Sequence, residues 1–388
     1  MASVIRSVEQ RTGSPTRWNG RVFEELDAGI LGSAHPDGTM TVSRGRVLDP
    51  VRHAYTGGRP LTDDENYRLR DAAATVAHEA VHLSSRFGDE SAPGAYPAQD
   101  RAALALEEGQ AEHWVHRNLD DVIADVGLDR VSPGVLTQPG VDAYPAYTPA
   151  SAELNSGIAA RTAQSTDQVA TQLIGTERAQ RWNMAADMVI DHRLGGLMPE
   201  SHRDAIRAAV VAPMRAEFER LATVRADPSA TSAQKATLAS DAANYAISGI
   251  DQVVGHAEQY YKNWYQQQAA QQQTQQGPGQ QAGPQQGEQA GPQQGQQQSG
   301  SQPRPQPVHQ GQPQATGQQT TPGAEVSTSP EIAKLRAMTT GQAPAAGAVN
   351  RSVSSPDGAR PDRGGQTPGR QITRPQAGPT KPLTAERG

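Results

Sequence analysis

The sequence predicts an α+β fold that is mostly helical, with a small β-hairpin packed on a helical core and a long disordered C-terminal tail. Three observations carry this. Apolar residues recur at helical spacing over six stretches between about residues 63 and 268. One short run, Ala28 to Pro50, has strand and turn chemistry instead. From about Gln266 the chain becomes QQQAAQQQTQQGPGQQAGPQQG and stays rich in Gln, Pro, Gly, Ser and Thr to its end. Such a segment has few large apolar side chains to offset the entropy of ordering its backbone, so it is read as disordered. About 265 of the 388 residues then remain to fold, enough for a substantial core.

In order along the chain, residues 1–20 read as irregular. In AGILGSAHPDGTMTVSRGRVLDP, His35-Pro36-Asp37-Gly38 is turn chemistry, flanked by Thr39, Met40, Thr41 and Val42 as strand. A helix is expected over 63–87. Thr62 and Glu65 make a capping box, Asp63 and Asp64 suit the positive end of the dipole, and Gly88 is the expected stop. Its apolar stripe is Val76, Ala80, Leu83 and Phe87. After the loop Asp89 to Pro97, a second helix is expected over 98–126 with Leu104, Trp114, Val115, Val122 and Ile123 inward, ended by Gly127. Residues 128–150 read as loop. Helices follow over 151–164, 168–195, 200–224 and 232–268, and a short one over Ser329–Met338. The Tyr260, Tyr261, Trp264, Tyr265 cluster beside Lys262 is expected to pack the last long helix against the body.

Composition excludes several classes. The formal charge is −6, and from Ala270 onward ten Lys and Arg against six Asp and Glu give +4, so the remainder carries −10. An acidic body offers no footprint for nucleic acid. With no cysteine there is no disulfide, thiolate metal site or cysteine nucleophile. No apolar leader opens the chain and no run of 18 apolar residues exists, so no membrane span is expected and the cytoplasm is the default location. Leaderless export stays open, because Trp18-Asn19-Gly20 and Tyr67 with Asp71 resemble fragments of specialised secretion signals. No phosphate-binding loop, dinucleotide fingerprint or serine nucleophile elbow is present.

The chemistry concentrates in TVAHEAVHLSS, where His78-Glu79-Ala80-Val81-His82 falls within the first long helix. Residues i and i+4 share a helix face, so both imidazoles can be aimed at one ion. Zinc accepts such nitrogens at about 2.0–2.1 Å and lowers the pKa of a water it holds toward about 7. Glu79, about 100° around the helix, would reach that water without ligating the ion. It would accept a proton and deliver it to a leaving amine. The bland alternative is a histidine pair on a polar helix face. The small or apolar neighbours Ala77, Ala80 and Val81 fit a buried helix better.

A hairpin, a capped helix carrying His-Glu-x-x-His, and a second helix carrying Glu108-Gly109-Gln110-Ala111-Glu112 resemble the minimal core of gluzincin-type zinc metallopeptidases, with a zincin-like fold. The resemblance spans about residues 28–126. It implies His78, His82 and Glu108 as Zn²⁺ ligands, Glu79 as catalytic base, and Glu112 as support behind a ligand. Glu108 and Glu112 share a helix face, and Gly109 lets another backbone come close. Glu107 is the nearest competitor for the third ligand. An edge strand beside the cleft, Gly38–Ser43 or Gly45–Asp49, would pair with an extended peptide substrate; a plain structural hairpin is the equal alternative. RWNMAADMVIDHRLGG resembles, more weakly, a segment of metallopeptidase-like proteins linked to von Willebrand-type domains. That resemblance makes Asp187 an alternative third ligand or a group holding a ligand histidine. The residues alone also allow an amphipathic core helix there, with Trp182, Ala185, Met188 and Val189 inward. Asp191 with His192, His113 with His116, and the loop tyrosines Tyr96, Tyr144 and Tyr147 are weaker site candidates.

The expected organisation is a zincin-like core over 1–150, a helical subdomain completing the cleft over 151–268, and a Gln/Pro/Gly-rich tail over 269–388. The expected function is zinc-dependent hydrolysis of a protein or peptide substrate, with the tail available to a protein partner. The alternatives are an inactive scaffold working through its helices and tail, and a secreted effector of the same fold.

Overall fold

The computed structural model describes residues 1–275, and the fold is α+β and mostly helical. The tail expected beyond this point and the helix expected over Ser329–Met338 lie outside the described residues.

The chain opens on a helix, α1 (Ala2–Thr12), where irregular structure was expected. Its Val4, Ile5 and Val8 are buried, and Ser7 and Arg11 bond Asp125 at 2.6 and 2.8 Å. A helix this short is marginal by itself and draws its stability from such packing. The strands β1 (Val22–Glu25), β2 (Gly32–Ala34) and β3 (Met40–Ser43) form one sheet in the order β1-β3-β2. β2 and β3 are the expected hairpin, closed by Gly38 at φ +84°. β1 adds in parallel on the far side of β3, with Val22 opposite Met40. Gly38–Ser43 is therefore no edge: β3 is the central strand. Gly45–Asp49 is no strand either, because Arg44–Leu48 forms a π-helical turn leading into α2 (Asp49–Thr56). Gly32–Ala34 is the edge that faces the helices.

α3 (Asp63–Ser84) begins with the full Thr62–Glu65 capping box. It ends at Ser84, three residues short of the expected last helical residue, Phe87, where Ser85 turns extended. Phe87 leaves the helix stripe and instead meets the guanidiniums of Arg17 and Arg178, at 5.6 and 4.5 Å. α4 (Arg101–Val126) is capped by Asp100 and stopped by Gly127 at φ +74°. Leu104 points outward, 40% exposed, against expectation. The expected loop holds a helical turn, α5 (Leu128–Val131), and a 3-10 turn over Pro133–Thr137. Then follow α6 (Thr148–Ala159), α7 (Thr166–Gly175), α8 (Arg181–Leu194), α9 (Arg203–Ala226) and α10 (Ser232–Gln275), so α10 runs past 268 through the first glutamines. Tyr261 is fully buried from α10, its hydroxyl 3.0 Å from His202 Nδ1.

The stretch expected as one helix over 168–195 is broken after α7. Thr176 turns extended and Arg178–Gln180 makes a 3-10 turn. Arg178 and Ala179 give their N–H groups to the carbonyls of Arg86 and Phe87. The break lays this segment alongside the end of α3.

Two apolar cores result. One gathers α1, the sheet, α3 and one face of α4; the other gathers the opposite face of α4 with α6 to α10. α4 is the shared wall. Gly109 sits where α4 meets α6: a Cβ there would lie 2.6 Å from the Tyr147 carbonyl oxygen. Gln110 and Asn155 exchange amide hydrogen bonds at 2.8 and 3.0 Å across the same contact. Among the described residues, no helix is long and apolar enough to cross a membrane.

Candidate metal centre

α3 lies between the sheet and α4, so residues Thr75 to Ser84 are all buried. His78 and His82 thus face α4 rather than solvent, and α4 presents Glu107, Glu108 and Glu112 to them. The three glutamates lie within about 140° of that helix's circumference by its period.

His78, His82 and Glu108 form a candidate ligand set among the described residues. The two Nε2 atoms are 2.9 Å apart, and Glu108 Oε2 is 3.2 Å from one and 3.3 Å from the other. Donors at about 2.0–2.1 Å on a tetrahedral ion stand roughly 3.4 Å apart, close to these separations.

The opposite ring nitrogens fix what faces the centre. His78 Nδ1 is 2.8 Å from Glu112 Oε2, and His82 Nδ1 is 2.7 Å from Glu107 Oε1. Each carboxylate accepts an Nδ1–H and leaves the Nε2 lone pair pointing inward. Two lone pairs and a carboxylate oxygen then converge, an arrangement that repels itself unless a cation or protons fill it. In the metal-free protein protons do so. Burial works against charge on both rings, but the bonds to Glu108 and Glu112 raise His78 to about 10, and Glu108 and Glu107 raise His82 to about 9. The residues present therefore fit a zinc ion by donor type, spacing and tautomer.

The carboxylates are held in turn. Glu107 is 4% exposed and pairs with Arg181, itself 3% exposed, and with Arg178 at 3.0 Å. Burial pushes its carboxyl up, yet the two arginines and His82 hold it well below the usual range. Arg181 also donates to Ser85 Oγ. Glu108 is likewise depressed against its burial, by both histidines. Glu112 is lowered to about 2, its burial outweighed by His116, His78 and the Ala143 N–H. Oε1 of Glu112 accepts from His116 Nε2 at 3.2 Å and Ala143 N at 3.0 Å.

Glu79 stands apart from the three convergent donors, buried under β2. A Cβ on Gly32 would lie 3.0 Å from Glu79 Cγ, and the Ala34 N–H bonds the carboxylate. Burial raises its pKa, while His78 and His82 pull it down. Tyr144 stacks flat on His78, ring centres 5.3 Å apart at 8°, and its hydroxyl bonds Glu108. Burial and the nearby carboxylates push that hydroxyl far up, so it stays protonated. The Arg225 guanidinium lies 4.9 Å from the Tyr144 ring centre.

Among the expected site residues, His78, Glu79, His82, Glu108 and Glu112 come together, with Glu107 as an orienting group rather than a competing ligand. Asp187 does not join them: Arg203 and Arg207 hold its carboxylate at 3.0 and 2.9 Å, so it is neither a ligand nor a support for a histidine. Asp191 is 2.6 Å from the same Arg203. Of the His113–His116 pair, His116 touches the assembly through Glu112, whereas His113 Nε2 is buried without a partner. Of the loop tyrosines, Tyr144 is the one against the centre. Arg178, Arg181 and Ser85 escaped the sequence reading, because their role depends on the break between α7 and α8.

The chain matches no protein-family model, no curated protein and no solved structure.

Proposed function

We propose that the protein is a zinc-dependent metallohydrolase, most simply a peptidase, with His78, His82 and Glu108 holding the ion. The observation that carries this reading is the convergence of three donors within 3.3 Å, each imidazole anchored behind by its own carboxylate. When bound, the ion supplies Lewis acidity for a water and for the carbonyl to be attacked.

The chain's own residues do the rest. Glu79 accepts the proton of the attacking water and passes it to the leaving amine; its raised pKa suits both halves of that exchange. The Tyr144 hydroxyl, protonated near neutrality, donates to Glu108, and turned from Glu108 to the substrate it would be a donor for the charge developing on the carbonyl oxygen. β2 supplies the substrate's backbone contacts. Leu31 and His35 bond back to β3, so Gly32 and the Ala34 carbonyl turn to the outer edge, while the Ala34 N–H is held by Glu79. An extended peptide adds there as a further strand.

Metal analysis of the purified protein together with a Glu79→Gln variant tests the reading on a mixed peptide library. Zinc retained by both proteins and hydrolysis confined to the parent supports it. A parent that binds no zinc, or a variant that cleaves as fast as the parent, overturns it.

A further inference from the structure

A cavity of about 260 Å³ lies between α3, α4 and the turn at Pro139–Val141. Tyr67, Arg70 and Ala74 line it from α3, and Val115, His116 and Leu119 from α4. It connects to the metal centre through one residue: Glu112 turns Oε2 to His78 and Oε1 to His116.

We propose that Glu112, His116 and Asp142, with the Val141 carbonyl, form a second divalent-cation site, coupled to the first through the Glu112 carboxylate. Ligand atoms of the three side chains lie within 4.8 Å of one another. His116 Nε2 is 3.2 Å from both Glu112 Oε1 and Val141 O. Those separations are near the upper end for an N–H···O bond, and one N–H must serve both acceptors. They are near what two donors on one ion require. Asp142 receives the Tyr144 N–H and the Thr148 hydroxyl on Oδ1, at 2.9 and 2.8 Å, which leaves Oδ2 for a further partner.

Two other features favour an ion. The site is reachable, since the His116 side chain is 34% exposed. The cavity that His116 and Val141 border has room for the waters that complete a coordination shell. The donor set also differs from the first: one imidazole with carboxylate and carbonyl oxygens, where the first has two imidazoles. Such a set binds zinc or manganese and holds zinc less tightly than the first. A cation on Oε1 draws charge away from Oε2, the acceptor of His78 Nδ1–H. Filling the second site therefore weakens the hold on the first ion, and the coupling is reciprocal.

The site does not rest on the hydrolase reading. Its test is zinc stoichiometry of the full chain by equilibrium dialysis, on the parent and on His116→Ala, Asp142→Asn and His82→Ala. Asn at 142 keeps the Oδ1 contacts and removes the charge, and His116 is exposed, so neither change threatens the fold. The parent is expected to bind two ions in separable steps. His116→Ala and Asp142→Asn lose the weaker step and keep the stronger; His82→Ala does the reverse. A parent with one binding step that His82→Ala abolishes and the other two variants leave unchanged overturns the second site while leaving the first intact. One step lost in His116→Ala but kept in His82→Ala upholds the second site and overturns the first.

Discussion

Replacing Arg181 by Met should separate the stability of the centre from its metal affinity. Arg181 and Glu107 are 3% and 4% exposed, and Arg181 also bonds Ser85. Removing one partner of a buried pair costs about 3–5 kcal/mol, and because Arg178 stays 3.0 Å from Glu107 the cost should fall at the lower end of that range. Against a total stability of about 5–15 kcal/mol, that is a large share. Glu107→Leu should cost a similar amount, since it strands Arg181 and Arg178 and frees His82 Nδ1. The double variant should be less destabilised than the two single effects combined, by a coupling of about 0.5–3 kcal/mol. Zinc affinity should behave differently. Arg181→Met leaves the Glu107–His82 bond in place with Arg178 beside it, so the loss should be small. Glu107→Leu, alone or in the double variant, removes the group that orients His82 and should cost about 10–100-fold. Denaturant unfolding of the metal-free proteins and competitive zinc titration measure the two quantities. A loss below about 1 kcal/mol in Arg181→Met, the range of a surface pair, would refute the buried network. Equal zinc affinity in Glu107→Leu and the parent would refute the orienting role.

Glu79→Gln should keep its zinc and lose hydrolysis by about 10²–10⁴-fold, read from steady-state peptide cleavage. Glu112→Gln should weaken zinc by about 10–100-fold through His78, read by the same titration as Glu107→Leu. The histidine pKa values set a pH dependence with opposite signs for the two states of the centre. Because His78 and His82 are raised from 6.5 to about 10 and about 9, their contribution to metal-free stability is full below pH 6.5 and disappears as pH rises through 9 and 10. Zinc binding must expel those protons, so affinity should climb with pH up to the same window; a flat affinity between about pH 6 and pH 9 would contradict it. Gly109→Ala should cost about 1–3 kcal/mol in thermal or denaturant unfolding, since its Cβ would press on the α6 turn at Tyr147 and Ser151.

How much of this was readable beforehand depends on the range of each interaction. The capping box at Thr62, the Asp37-Gly38 turn and the stop at Gly127 are local devices, and the structure has all three. The His-Glu-x-x-His spacing and the shared face of Glu108 and Glu112 follow from helix geometry alone. β1 could not be read, because four residues, VFEE, become a strand through parallel pairing with β3. α1 likewise owes its existence to α3 and α4. The division of labour among Glu107, Glu108 and Glu112 was hidden for a related reason. Neighbouring glutamates differ by about 100° on a helix, but which of them meets a nitrogen and which an arginine depends on how α8 arrives. That was set by the break at Thr176, which a helical apolar period running from 168 to 195 conceals. The same break corrects Asp187: it places Arg181 at the centre and leaves Asp187 two turns along α8, facing Arg203 and Arg207 of α9.

On the proposed reading, charge within the centre makes protons and a metal ion alternatives there. Glu79, Glu107, Glu108 and Glu112 place four carboxylates around the two histidines, and Arg178 and Arg181 supply two guanidiniums. Ionised, the carboxylates exceed the guanidiniums by two negative charges in a buried space, where uncompensated charge is expensive. Two histidine protons close that gap, and so does one divalent cation. The raised histidines and the convergent lone pairs are thus two expressions of one charge deficit. The count does not depend on which carboxylate carries the arginines, but the position does matter. An arginine on Glu108 would occupy the oxygen that faces the two Nε2 atoms. Placed on Glu107, one bond behind His82, the positive charge holds the orienting carboxylate ionised and leaves the inward-facing donors to compete for a proton or a metal.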